Sequence, residues 1–202
     1  MNYEKIILEM LERIKDLEEK VGMLEDFKVE LEEKEDDVVT EITSGSEKKE
    51  SGRKLSRIEI MKILREKYGF EVRQGNRSEG SGIVISKNGK SLNIKVSFSR
   101  SYFEYAKEEC IICGWHTLFE KEVNNPELPF FIFVVADAEN KFHYFIFTRE
   151  EIIKEFSYKK YDANKKLHFY FTIKKDGRPV DLREGEEDMS SHYNNWDKFK
   201  AI

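Results

Sequence analysis

Hydrophobic residues recur along the first part of the chain at spacings of three and four: Tyr3, Ile7, Met10, Ile14, Leu17, Val21, Leu24 and, one heptad on, Leu31. This period predicts a coiled coil over residues 1–34, with Ile7, Ile14 and Val21 at a positions and Met10, Leu17, Leu24 and Leu31 at d. β-Branched residues at a with Leu at d favour a parallel dimer. In the same register Arg13 and Lys20 fall at g, and Glu18 and Glu25 occupy the e positions five residues on. A parallel coil pairs such charges between chains. Ile6 and Leu11 widen the apolar stripe in the first turns, so a tetramer is the alternative assembly. The bland alternative is one amphipathic helix lying on the rest of the chain. Only Lys28 interrupts the seam. Beyond Leu31 the pattern dissolves into acidic residues 32–37 and a Ser/Thr/Gly/Lys stretch, which predicts a flexible polar linker over residues 35–53.

From residue 54 the period changes. Ser56 followed by Glu59 is a helix-start signal, Ile58, Met61, Ile63 and Leu64 carry an apolar stripe, and Lys67-Tyr68-Gly69 supplies the stop. Residues 70–73 make a short strand. Residues 82–86 and 92–98 alternate with period two around Lys87-Asn88-Gly89-Lys90, and Asn-Gly in that setting predicts a β-hairpin. Residues 102–123 are predicted to be helical. Residues 129–136 and 142–147 form a second apolar hairpin, and the unbroken run from Phe130 to Val135 marks a strand buried on both faces. Thr148 with Glu151 starts another helix that ends near Phe156. A late strand over 167–173 and a helical stretch around 193–197 close the chain. The fold class expected over residues 54–202 is therefore α/β (α+β) with a mixed sheet.

Composition fits one core in that part. Aromatics make up 13% of the 202 residues and lie mostly after residue 98, which offsets a charged fraction of 37%. No apolar run reaches the roughly 18 residues of a membrane helix, and no signal-peptide pattern opens the chain. Two cysteines, Cys110 and Cys113, are too few for a disulfide framework. The expectation is a cytoplasmic homo-oligomer with no membrane partner. Charge is more informative than its total of −5, because residues 53–100 carry 12 Lys/Arg against four Glu while the flanking segments are acidic. Such a basic segment suggests a polyanion, DNA or RNA, as partner, with a merely solvated face as the bland reading. The expected contacts are Arg73, Arg77, Lys87, Lys90, Lys95 and Arg100.

The stretch Gly80-Ser81-Gly82-Ile83-Val84-Ile85-Ser86-Lys87-Asn88-Gly89-Lys90-Ser91-Leu92-Asn93-Ile94-Lys95-Val96-Ser97, following a helix, resembles the catalytic hairpin of the restriction-endonuclease-like, PD-(D/E)XK, superfamily. Trp115, the 130–135 run, residues 145–151 and Asn194-Asn195-Trp196-Asp197 are similar to later landmarks of small members. The resemblance spans about residues 55–200 and implies a metal-dependent nuclease fold. In such a site two carboxylates hold Mg²⁺ against the phosphate, and a Lys two residues from one of them orients the attacking water. Here Gly82 stands where the resemblance puts the Asp, Lys95 where it puts the Glu, and Ser97 where it puts the Lys. A noncatalytic nucleic-acid-binding module without cofactor is therefore expected. One alternative is an interaction or scaffold protein. Another is an active Mg²⁺ nuclease in a shifted register, with Glu79, Asn93 and Lys95 joined by Glu59.

Other chemistry is weaker. On a helix, Cys110, Cys113 and His116 would project three soft ligands along one face, with His143, His168 or His192 as a fourth. Buried structural cysteines and no metal are the expectation. Asp176-Gly177-Arg178-Pro179 is a turn, and the acids of residues 184–188 form a solvated loop.

Overall fold

The computed structural model describes residues 51–76, 82–102 and 110–202. The expected coiled coil, most of the linker, Arg77, Glu79 and residues 103–109 lie outside the described residues. Helix α1 spans Gly52–Tyr68 and begins slightly before the expected boundary, because Ser51 is its N-cap and accepts the Lys54 amide at 3.3 Å. Gly69 ends it with φ 69°, its amide returning to the Arg65 carbonyl at 3.1 Å. Ile60, Leu64 and Tyr68 are its buried stripe.

The first sheet is mixed and five-stranded, in the order β1 (Glu71–Gln74), β2 (Ile83–Lys87), β3 (Lys90–Arg100), β5 (Phe130–Ala136) and β6 (Phe142–Thr148). Neighbours run antiparallel except β3 and β5, which are parallel. Asn88 and Gly89 turn the β2–β3 hairpin with φ of 52° and 76°, the pair of positive angles a two-residue turn needs. One face buries Ile83, Ile85, Ile94, Ile132, Val134 and Ile146 against α1 and a closing 3₁₀ helix, Trp196–Ala201. The opposite face buries Phe131, Phe133, Val135, Phe145 and Phe147. All seven residues of β5 are buried, so its unbroken apolarity has the predicted cause.

The helix expected over 102–123 is not what its described part forms. Cys110–Phe119 is strand β4, and only Glu120–Val123 turns into a short helix, α2. Strand β4 opens a second, antiparallel sheet with β7 (Lys166–Lys174), β8 (Pro179–Asp181) and β9 (Glu187–Asp188). Cys110, Ile112, Gly114, His116 and Leu118 are buried and alternate with outward residues, a period of two that a helix cannot use. Gly114 lets the sheets approach: a Cβ there would lie 2.4 Å from Val135 Cγ2. Phe171 of β7 then meets Phe133 and Phe145 at ring separations of 5.0 and 4.7 Å. Fully burying such a ring stabilises by roughly 2 kcal/mol.

Three hydroxyls of the β3 end join the sheets. Ser97 Oγ lies 3.0 Å from His116 Nδ1, Ser99 Oγ accepts the Trp115 amide at 3.1 Å, and Ser101 Oγ accepts the Cys113 amide at 3.1 Å. Helix α3, Arg149–Glu155, starts at the predicted capping box, in which Thr148 and Glu151 each accept the other's amide. Lys159 then enters the interior beside three aromatic rings and sets its ammonium 3.0 Å from both Asp181 and Glu184. At the C-terminus Asn194, with φ 50°, exchanges bonds with the Tyr144 backbone, and the His192 carbonyl accepts the Ile146 amide at 3.0 Å.

Candidate functional site

The β2–β3 hairpin is where the nuclease resemblance would place a metal. Gly82 has no room for a side chain, since a Cβ there would lie 2.1 Å from the Ile94 carbonyl oxygen. Ile94 and Val96 point into the α1 core, so Asn93, Lys95 and Ser97 share the opposite face. The Lys95 ammonium forms an ion pair of 2.5 Å with Glu122, and both side chains are mostly buried. Glu122 is held in turn, its other oxygen accepting the Phe119 amide at 3.0 Å. Ser97 is bonded to His116, which burial keeps neutral with a pKa lowered to about 3. Positions 82, 95 and 97 thus hold a glycine in contact with backbone, a lysine in an ion pair with Glu122, and a hydroxyl engaged by a buried imidazole.

The shifted arrangement is brought together only in part. Asn93 and Lys95 share a face, and Glu79 lies outside the described residues. Glu59 sits on α1, over the other face of the sheet, beside Tyr144. Burial and then the Glu59 carboxylate raise the Tyr144 phenol well above its usual range, although its hydroxyl makes no hydrogen bond of good geometry. Glu122 is the acid that approaches Lys95, and sequence reasoning missed it because its segment was assigned to a long helix.

The expected phosphate contacts divide. Lys87 and Lys90 face each other across the hairpin turn. Lys87 donates to the Tyr68 carbonyl at 3.2 Å and lies 4.9 Å from the Phe70 ring, which sets the turn against the last turn of α1. Arg65 and Lys67 stand in that same turn, so four cations gather around the helix end. Sequence reasoning did not single out Arg65 and Lys67. Their signal was the basic last turn ahead of Gly69, next to a hairpin with Lys on either side of its turn. Arg73 is exposed on β1, on the side of the sheet away from Val72 and the α1 core. Arg100 ends β3, ten residues from Lys90 and about 33 Å away along the strand.

The Cys110, Cys113 and His116 grouping does not form. On a strand Cys113 faces outward while His116 faces the core, and both cysteines are free thiols. Burial raises the Cys113 thiol pKa, which disfavours a reactive thiolate. Among the described residues no group of three His, Cys, Asp or Glu is placed to hold a metal. No described helix is long and apolar enough to cross a membrane. No protein-family model, curated protein or solved structure matches the chain.

Proposed function

We propose that the domain from residue 54 onward is a noncatalytic nucleic-acid-binding module on a degenerate restriction-endonuclease-like fold, oligomerised by the coiled coil expected over residues 1–34. A first helix leading into an Asn-Gly hairpin supports the family reading. The observation that carries the noncatalytic part is Gly82: the position that would carry a metal carboxylate has no space for one. The binding part rests on Arg65, Lys67, Lys87 and Lys90 around one helix end, a cation cluster suited to a phosphate backbone without base selectivity. Such contacts release counterions, so affinity should fall steeply with salt.

The test is an anisotropy titration of the full chain with duplex and single-stranded DNA and RNA at low and high salt, beside a Mg²⁺ or Mn²⁺ cleavage assay. Salt-dependent binding that Lys67→Glu/Lys90→Glu weakens, without cleavage, is the expected result. Metal-dependent cutting lost in Lys95→Ala would instead establish the nuclease, with Asn93 and Lys95 at its centre. Equal and negligible binding by all variants would favour the scaffold reading. The exposed Leu55 and Ile58 on the outer side of α1 would then mark a protein-contact surface.

A further inference from the structure

The solvent-facing side of an antiparallel sheet is ordinarily polar. The second sheet departs from this. Ile112, Leu118, Leu167, Phe169, Phe171 and Ile173 fill its inner side, so Trp115 and Phe119 of β4 and His168 and Tyr170 of β7 project outward, each partly exposed. Trp115 stands opposite Tyr170 in register, with ring centres 6.3 Å apart and near-perpendicular planes, and it stacks on His168 at 5.9 Å. The rings are held in place. Trp115 Nε1–H donates to His168 Nδ1 at 3.2 Å, and His168 Nε2–H donates to Asp162 at 2.8 Å.

Cations border the same rings. The Arg183 guanidinium lies 5.1 Å from the Tyr170 ring centre and donates to its hydroxyl, while the Lys166 and Lys121 ammoniums lie 5.0 and 5.2 Å from the Phe119 ring. Flat apolar rings beside positive charge fit a partner that has flat faces and negative charge. We propose that this outer face of β4 and β7 stacks the unpaired bases of a single-stranded nucleic acid, with Arg183 and Lys121 meeting its phosphates. Trp115 and Phe119 are four residues apart, about 13 Å along the strand, a span that two splayed bases cover. Because Trp115, His168 and Tyr170 are already fixed by hydrogen bonds, binding costs little ordering of these side chains.

The inference rests on the nucleic-acid reading but assigns base contact to a different face from the α1 and hairpin cations, so the two are separable. Labelled single strands of about 20 nucleotides, longer than the site of one such module, and duplexes of the same sequence are titrated into the full chain, with emission from Trp115 recorded. The other tryptophan, Trp196, is buried under α1 and serves as the unquenched background. Single strands are expected to quench Trp115. Trp115→Leu and Tyr170→Leu should each weaken single-strand affinity about tenfold and spare the duplex. Arg183→Glu, at an exposed position outside the core, gives the same loss if a ring variant fails to fold. Unquenched emission with unchanged affinities, while binding still depends on salt and on Lys67 and Lys90, overturns the stacking face and leaves the broader reading standing. No binding by any strand removes both.

Discussion

Replacing Gly82 by Ala or Asp tests the argument that the β2–β3 hairpin has no room for a side chain at this position. A Cβ at 82 would lie 2.1 Å from the Ile94 oxygen and 3.1 Å from the Ile94 carbonyl carbon, and both are backbone atoms that no rotamer change can move. Restoring ordinary carbon–oxygen contact requires the strands to separate by about 1 Å. That displacement opens the β2–β3 ladder where Ile83 pairs with Ile94, and it disturbs the Gly75 amide bond to the Gly82 carbonyl at 2.9 Å. Overpacking of this kind, the opened ladder included, costs about 2 kcal/mol, and the weakened Gly75 hydrogen bond adds about 1 kcal/mol. The total is about 3 kcal/mol for Ala and at least as much for Asp. With a urea dependence of roughly 2 kcal/mol per molar, the unfolding midpoint drops by about 1.5 M. Gly69→Ala is the control, since nothing lies within 4 Å of its Cβ and only its φ of 69° opposes the change. It should lose about 1 kcal/mol. A Gly82→Ala midpoint equal to wild type would refute the reasoning. So would a folded Gly82→Asp chain that binds Mg²⁺.

His116 should make stability fall in mild acid. Its folded pKa, lowered by burial to about 3 from the ordinary 6.5, means that the unfolded chain takes up the proton first, so stability is full above pH 6.5 and declines as pH falls toward 3. The loss from pH 6.5 to 5 is roughly 2 kcal/mol, and His116→Leu should flatten that slope in urea melts run across the range. Asp181→Ala should cost roughly 3–5 kcal/mol in thermal unfolding, because it leaves the buried Lys159 ammonium with only the more exposed Glu184; Lys159→Met/Asp181→Leu should recover much of that loss. Deleting residues 1–50 should reduce the light-scattering mass from that of an oligomer to that of a monomer, and an unchanged mass would refute the coil.

Legibility in the sequence followed the strength of local signals. The hairpin was readable because Asn88-Gly89 has few other uses between alternating segments, and α3 because Thr148 and Glu151 form a reciprocal cap. Strand β4 was not recognised because Gly114 and His116 stand among its inward positions, where apolar residues would have shown the alternation. Both choices depend on distant partners, Val135 for the glycine and Ser97 for the histidine, which no local window contains. The second sheet went unseen for the same reason. The residues at positions 82, 95 and 97 were legible from the sequence alone. The Lys95 partner was not, since Glu122 meets it across 27 positions of chain. Nor did charge counting reveal that Arg73 and Arg100 stand apart from the cations at the α1 end.

The serines at the end of β3 bear on aggregation. A strand with unpaired amides on one side is a template for another chain, and β4 would be such an edge. Ser99 and Ser101 occupy the Trp115 and Cys113 amides with side-chain hydroxyls, so no neighbouring backbone can add there in register. The other margins are also closed to extension: β1 has four residues, β9 has two, and β6 is occupied by the segment from His192 to Asn194. If a coiled coil concentrates several copies at a few nanometres, their sheets would meet constantly and still not grow into one another. Replacing Ser99 and Ser101 by valine would bare the Trp115 and Cys113 amides of that margin and leave the Tyr102 amide on the Cys113 carbonyl as its remaining guard.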